Sequence, residues 1–315
     1  MVRVYYKEGK DLRKETSLEE IQELDDIVWV DLQNASDKDE DWIEDHFGLS
    51  FQTPQEVIEI ESSSRYIERG KTIIANSNFL RINHQKQEEA YPVAFQLKEG
   101  VLFTRRTGDS RIFADTVRKM KISKEQFLSG ADVLLRLFET QIDFEADLVE
   151  NVARQVTQIS RSLNTGGQTD RSNILIINEL QENTMQLREG IIDKQRVLSA
   201  CMRSGLFPEE KKDRLKIILK DISSLLEYTH FNFERLEYLQ NTLMNLIQLE
   251  QNQIIKIFTV FSLVFLPPTL IASIFGMNFT LIPGLDSPLG FWVSLLLMMV
   301  SGIGIIAYFR NKGWI

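Results

Sequence analysis

Two stretches near the C-terminus contain no charged side chain: IFTVFSLVFLPPTLIASIF at residues 257–275 and FWVSLLLMMVSGIGIIAYF at residues 291–309. About 20 apolar residues in a helix, at a rise of roughly 1.5 Å each, cross a hydrocarbon core about 30 Å thick. The alternative is a pair of core helices in a soluble protein, but such helices rarely extend this far without a charge. The two stretches therefore predict a hairpin of two transmembrane helices.

The charges beside these stretches predict their direction. Lys256 precedes the first stretch and Arg310 and Lys312 follow the second, whereas the connector at 276–290 contains no Lys or Arg. Because cytoplasmic flanks carry the excess of basic residues, the N- and C-termini are expected in the cytoplasm and the connector outside. The N-terminus lacks a signal-peptide core and Cys201 is the single cysteine. The expected location is therefore the cytoplasmic (inner) membrane, with the bulk of the chain in the cytosol.

The composition disfavours several functions. The 315 residues contain 36 Lys and Arg against 45 Asp and Glu, and the resulting net charge of −9 repels nucleic acid. The sequence contains no phosphate-binding loop, no H-E-x-x-H or C-x-x-C metal motif and no G-x-S-x-G nucleophile motif. We therefore expect no enzymatic activity, no organic cofactor and no nucleic-acid partner.

The remainder of the sequence divides into two parts. Residues 1–122 carry β-rich runs between helical patterns, which predicts a cytosolic α/β domain. The β-rich runs lie at 2–6, 27–32, 72–76, 93–97 and 101–105. Residues 123–256 show only helical patterns, and they are predicted to form a long helical stalk or funnel. With a transmembrane hairpin at 257–315, whose external loop is 276–290, the sequence predicts an α+β membrane protein.

The last helical pattern before the membrane carries a seam of mostly apolar residues at alternating spacings of three and four. The seam positions are Leu215, Ile218, Ile222, Leu225, Thr229, Asn232, Leu236, Leu239, Leu243 and Leu246. This spacing places the side chains on one face of a helix, as in a coiled coil. Two compatible interpretations remain open. Either the seam packs against the two preceding helices of the same chain, or it joins several chains into a stalk above the membrane.

The first apolar stretch has a polar face. Its four hydroxyl side chains, at Thr259, Ser262, Thr269 and Ser273, belong to one series of positions: 252, 255, 259, 262, 266, 269 and 273. Steps of three and four stay on one side of a helix, so these residues form an uncharged stripe suited to a water-filled path. The alternative is that the hydroxyls bond carbonyl groups of their own helix or join neighbouring helices. Two spans enclose no aqueous path, so transport requires several chains around an axis.

The residues around the connector resemble those of a known family. The tripeptide GMN occupies residues 276–278 at the end of the first span, and FRNKGWI closes the second span at 309–315. This arrangement resembles the CorA family of divalent metal ion transporters, of the Gly-Met-Asn type. The sequence WVDL at 29–32 and the positions of Pro267 and Thr269 agree with the family pattern. The resemblance covers nearly the whole chain.

The resemblance implies a homo-pentamer in which the first span of each chain lines a pore. It assigns the selectivity filter to Gly276, Met277 and Asn278. It assigns the pore lining to Asn252, Ile255, Phe258, Thr259, Ser262, Leu266 and Thr269. Because Mg²⁺ gives up its water reluctantly, the neutral oxygens of Gly276 and Asn278 suit a hydrated ion. Apolar rings at Ile255, Phe258 and Leu266 suit a gate that closes by dewetting.

The implied activity is Mg²⁺ influx down the electrochemical gradient, with Co²⁺ and Ni²⁺ as further candidate cargo. In the family, intracellular Mg²⁺ holds the channel shut, so Mg²⁺ is both transported and regulatory. Glu56 and Glu59 are the candidate regulatory ligands in this sequence. The implied partners are further copies of the chain, membrane lipid and divalent cations.

Two alternatives fit the same sequence. One is a Zn²⁺ transporter of the same superfamily, against which the intact Met277 argues. The other is a membrane-anchored coiled-coil scaffold that conducts no ion. The connector also departs from the family pattern, because Asp286 is its only acidic residue where family loops often read MNFE and MPEL. This departure predicts a weaker attraction of cations to the outer mouth.

Overall fold

The computed structural model describes residues 1–9, 11–21, 24–52, 65–82, 88–122, 129–164, 171–278, 282, 284 and 287–314. The chain forms two compact units. The first contains Met1–Thr165 with Arg171–Tyr238, and the second contains Leu239–Ile315.

The first unit is built around one β-sheet. Its strands among the described residues are β1 (Val2–Glu8), β2 (Asp11–Glu15), β3 (Ile27–Gln33), β4 (Tyr66–Arg69), β5 (Thr72–Ile82), β6 (Glu88–Lys98) and β7 (Val101–Arg106). Their order in the sheet is β2-β1-β3-β7-β6-β5-β4. β3 and β7 pair in parallel, and the other neighbouring strands pair antiparallel. Because β3 lies in the interior of the sheet, six of its seven residues are buried.

Three short helices accompany the sheet: α1 (Leu18–Ile21), α2 (Asp37–Phe47) and α3 (Arg111–Ile122). The backbone N–H of Asp39 donates to the Ser36 side chain and the N–H of Ser36 donates to the Asp39 carboxylate, so a capping box begins α2. One hydrophobic core includes Ile43 of α2 and the strand residues Val4, Val30, Leu32 and Phe103.

A buried ion pair joins the parallel strands β3 and β7. Arg106 donates to both carboxylate oxygens of Asp31, at 2.9 and 3.0 Å, and neither side chain is more than 1% exposed. Thr104 donates to the same carboxylate at 2.9 Å and accepts a hydrogen bond from the Trp29 indole. Removing one member of such a pair leaves an uncompensated buried charge, so these contacts strongly constrain the register of the two strands.

Four longer helices follow: α4 (Gly130–Asn164), α5 (Arg171–Arg203), α6 (Lys212–Phe275) and α7 (Gly290–Asn311). A single 3₁₀ turn at Glu209–Lys211 leads into α6. No strand follows α3 within the part of the chain that the structure describes, as the helical patterns predict. α6 has 64 residues, which corresponds to about 96 Å of helix.

The seam of α6 is already buried in the single chain. From Leu215 to Leu243, every seam position is at most 9% exposed, and Leu246 is half-buried. Packing within one chain therefore accounts for the seam. This favours the first of the two interpretations of the seam.

Candidate ion pathway along the first span

The helices α6 and α7 expose their apolar segments. Both are long and apolar enough to cross a membrane, and only 6% of the most apolar part of each is buried. A core helix of a soluble protein is mostly buried. The exposure therefore favours the transmembrane hairpin over the soluble-core alternative.

The stripe predicted on the first span lies on an exposed face of α6. All seven positions, 252, 255, 259, 262, 266, 269 and 273, are exposed in the chain. Their large apolar members, Ile255 and Leu266, are 62% and 60% exposed. Phe258 stands beside the stripe, next to Thr259, and is 66% exposed. The candidate pore-lining residues thus share one side of α6 that no part of the described chain covers.

The threonine hydroxyls of the stripe donate to their own helix. Thr259 Oγ1 donates to the carbonyl of Ile255 at 2.8 Å, and Thr269 Oγ1 donates to the carbonyl of Phe265 at 2.7 Å. The alternative interpretation of the hydroxyls is therefore correct for these two donors. A hydroxyl that donates still has lone pairs to offer. Since the water shell of a cation presents hydrogen atoms outward, these acceptor oxygens suit a hydrated cation.

The serines of the stripe differ from the threonines. Ser262 and Ser273 make no hydrogen bond to another described residue. Their hydroxyls remain able both to donate and to accept. The stripe therefore presents uncharged oxygen groups over several turns, and none of its positions carries a carboxylate.

The opposite side of α6 packs against α7. Val264 lies two residues from both Ser262 and Leu266, which is about 200° around the helix. A methyl group added at Gly302 of α7 would lie 3.8 Å from the Val264 carbonyl and 4.0 Å from the Pro268 ring. Pro268 lacks the N–H that normally bonds the Val264 carbonyl, yet α6 continues through it. A small residue in α7 thus permits a close approach at the point where the helix loses a hydrogen bond.

The tripeptide lies at the end of α6. α6 ends at Phe275, the N–H of Gly276 donates to the Ala272 carbonyl at 2.9 Å, and Gly276, Met277 and Asn278 are all exposed. A Cβ added to Gly276 would come within 3.1 Å of the Ala272 carbonyl oxygen. The glycine therefore allows a tight end to the helix, which leaves the Asn278 side chain just beyond the last turn.

Glu56, Glu59 and Asp286 lie outside the described residues. Within the described ranges, no group of three or more His, Cys, Asp or Glu side chains is placed to hold a metal ion. The neutral stripe and the tripeptide are therefore the ion-facing candidates that the structure brings together.

The stripe extends further than the first apolar stretch indicates. Asn241, Asn245 and Gln248 are exposed on α6 and continue the same spacing of four and three residues down from Asn252. The stripe predicted from sequence stops at Asn252, near the membrane boundary, and therefore omits them. The signal was present in the spacing: four amide side chains in phase lead from the stalk into the span.

The described chain combines an α/β domain, a long helix and two apolar spans, the first of which has a polar face. This combination defines the class of two-span membrane transporters. The family model described as CorA-like Mg²⁺ transporter protein matches residues 25–311. This match covers most of the chain, so the chain belongs to that family.

Individual relatives match the chain over at least 95% of its length. The magnesium transport protein CorA of Wolinella succinogenes is 36% identical over 322 residues, which cover 100% of both chains. The CorA of Salmonella typhimurium is 33% identical over 302 residues, 95% of each chain. The complete structure of the CorA magnesium transporter from Methanocaldococcus jannaschii superposes with a TM-score of 0.82 at 18% identity, covering 100% of this chain and 99% of that one. This likeness confirms the predicted fold of an N-terminal α/β domain, a long helix and two C-terminal apolar helices.

Proposed function

We propose that the chain is a channel-type transporter that admits Mg²⁺ through the cytoplasmic membrane, as a homo-pentamer with cytoplasmic termini. Its family and the names of its full-length relatives support Mg²⁺ as cargo. The observation that carries the mechanism is the exposed, uncharged stripe on α6 that leads to Asn278. Co²⁺ and Ni²⁺ are further candidate cargo.

The exposed stripe calls for several chains. Hydroxyl and amide groups facing lipid lose the hydrogen bonds that water supplies. Several α6 helices around an axis place these groups against a common water-filled path and leave the apolar side to lipid and to α7. The number five comes from the family resemblance.

The selectivity filter is proposed at the outer end of this path. Rings of Gly276 carbonyl and Asn278 side-chain oxygens receive the waters that Mg²⁺ retains, while Met277 completes the tripeptide. Neutral oxygens hold the ion weakly enough for it to leave. An inside-negative potential supplies about 4.6 kcal/mol per 100 mV for a divalent ion, which is sufficient to drive influx.

The gate is proposed at the apolar rings of the path. Ile255, Phe258 and Leu266 are exposed on the side of α6 that carries the stripe. When the helices approach one another, such rings exclude water and stop conduction. Mg²⁺ bound among the acidic cytosolic parts of neighbouring chains favours this closed arrangement, because it reduces the repulsion of like charges. Glu56 and Glu59 remain the proposed ligands for that ion.

Uptake by liposomes tests the proposal. The purified full-length protein is reconstituted, a potential is imposed, and entry of Mg²⁺, Co²⁺, Ni²⁺ and Zn²⁺ is followed with an enclosed metal-sensitive dye. We expect Mg²⁺ entry that requires the protein. Entry of Zn²⁺ alone would favour the Zn²⁺ transporter, and absence of all entry from a correctly assembled protein would favour the scaffold.

Mass and labelling measurements test the assembly. We expect five copies per particle in mild detergent, and we expect N- and C-terminal tags to be inaccessible from outside intact cells. A monomer, or a tag labelled from outside, would contradict the proposed arrangement.

A further inference from the structure

A groove lies between α6 and α7 at the end of the hairpin that carries Lys256 and Trp314. Its volume is about 430 Å³. The walls include Phe261, Val264 and Phe265 of α6 and Ile306 of α7. The rings of Phe261 and Phe265 pack against each other, with centroids 4.7 Å apart, and both remain more than half exposed. The groove is therefore apolar and open along its side.

The groove faces away from the proposed ion path. Val264 at its centre lies about 200° around α6 from Ser262 and Leu266 of the stripe. When the stripe faces a central axis, the groove consequently faces lipid. From Lys256 to Phe265 the helix rises about 13.5 Å, close to half of a hydrocarbon core about 30 Å thick. The groove thus has the length of the acyl region of one leaflet.

One end of the groove is basic and aromatic. Lys256 Nζ donates to the Gly313 carbonyl at 3.4 Å and lies 5.7 Å from the centre of the Trp314 ring. Arg310 and Lys312 are exposed and form no ion pair with another described residue. The Trp314 indole N–H likewise donates to no described residue. Lys256 and the Trp314 indole therefore line this end of the groove, with Arg310 and Lys312 close to Trp314 in sequence, at the depth where headgroups begin.

No acid balances these cations within the spans. Residues 251–278 and 287–314 contain no Asp or Glu, and Glu250 lies below Lys256 on α6. A second copy of the hairpin would bring the same basic end and no Asp or Glu side chain from these ranges. A phosphate group is negatively charged and accepts hydrogen bonds, so a lipid complements both parts of the groove.

We propose that this groove binds an anionic phospholipid of the cytosolic leaflet. One acyl chain lies between α6 and α7, and the phosphate contacts Lys256 with Arg310 and Lys312 nearby. The Trp314 indole lies at the boundary between chain and headgroup. The proposal rests on the proposed function for the orientation of the hairpin and for the direction of the stripe.

Quenching of Trp314 by brominated lipid tests the site. The full-length protein is reconstituted in phosphatidylcholine vesicles with increasing mole fractions of brominated phosphatidylglycerol or brominated phosphatidylcholine. The emission of a Trp314→Phe variant is subtracted to isolate Trp314 from the other three tryptophans. We expect half-maximal quenching at a roughly tenfold lower fraction of the anionic lipid, since each basic residue near the surface favours it.

Three further variants control the measurement. Lys256→Gln should remove most of the preference for phosphatidylglycerol, whereas Lys220→Gln, an exposed lysine of α6 outside the span, should keep it. Ile306→Phe should reduce quenching by both lipids, because it fills the groove without removing charge. Assembly is checked for each variant by its particle mass.

Equal quenching curves for the two lipids would overturn the site. Protection of Trp314 from both lipids in the unmodified protein would also overturn it, because another protein segment would then cover the groove. Mg²⁺ entry is measured in the same vesicles. Equal curves with normal entry reject the lipid site alone, and a retained lipid preference without entry rejects the proposed transport alone.

Discussion

Two segments of α6 each place a set of residues on one face by alternating steps of three and four. The two faces differ in burial. The seam from Leu215 to Leu243 is buried within one chain. The stripe from Asn252 to Ser273 is exposed throughout. Spacing of three and four residues thus identifies a shared face, but it does not tell whether the partner of that face lies in the same chain. The chemistry gives a first indication, since the seam is mostly aliphatic whereas the stripe is mostly uncharged polar, with Ile255 and Leu266 as its apolar members.

The largest expected effect is at the outer end of the stripe. Asn278→Ala removes a proposed ring of carbonyl oxygens from an exposed position, so we expect Mg²⁺ entry into liposomes to fall more than tenfold with particle mass unchanged. The matched control is Asn151→Ala, an exposed asparagine of α4, which should retain normal entry. Unaltered entry through the assembled Asn278 variant would reject the filter.

A substitution in the seam should lower the free energy of unfolding, whereas the substitution at Asn278 should lower Mg²⁺ entry. Leu236 is fully buried, so Leu236→Ala should lower the free energy of unfolding of the solubilised protein by about 2–5 kcal/mol through the cavity it leaves. Ile217→Ala, on the same helix but 62% exposed, should change it by less than about 0.5 kcal/mol. Chemical denaturation followed by circular dichroism gives both values. Equal effects at the two sites would show that the seam is not a core.

Intracellular Mg²⁺ should protect the cytosolic helices from protease, because it favours the closed assembly. If Mg²⁺ binds only the closed assembly, a free concentration ten times its Kd should slow protease cleavage of the cytosolic helices about tenfold. The control is monovalent salt at matched ionic strength, which should not reproduce the protection. Identical digestion patterns with and without Mg²⁺ would reject regulation by the cytosolic ion.

The smallest expected effect is a gain in stability within the seam. Asn232 is fully buried, and neither its amide nitrogen nor its oxygen bonds another described residue. Asn232→Leu should therefore raise the free energy of unfolding by about 1–2 kcal/mol. Asn151→Leu, at an exposed site, serves as the control for the change of residue type. A loss of stability at Asn232 would indicate that the amide has a partner in the assembled protein.

The predicted β-rich runs all lie within observed strands, but none of them corresponds to β2 or β4. β2 reads DLRKE and β4 reads YIER. Both lie at the edges of the sheet. Edge strands carry charged residues that prevent pairing with other chains, and these residues remove the apolar alternation by which a strand is recognised. The two omissions therefore have a common physical cause.

The candidate site was predictable only in part. The tripeptide at 276–278 and the hydroxyl stripe follow from sequence, because both are local patterns, one directly after α6 and the other within it. The groove beside Lys256 does not, since Ile306 and Trp314 reach α6 only when the hairpin closes. No spacing within either span predicts which side chains of the other span it meets.

By itself, the sequence determined the two spans, their expected direction, the helical stalk and the shared faces of α6. These properties depend on hydrophobic transfer and on helical geometry, which act between residues close in the chain. The tertiary structure decided the order of the strands, including the parallel pair joined by Asp31 and Arg106. It also decided that the seam is buried and the stripe exposed, because burial depends on contacts between segments far apart in sequence.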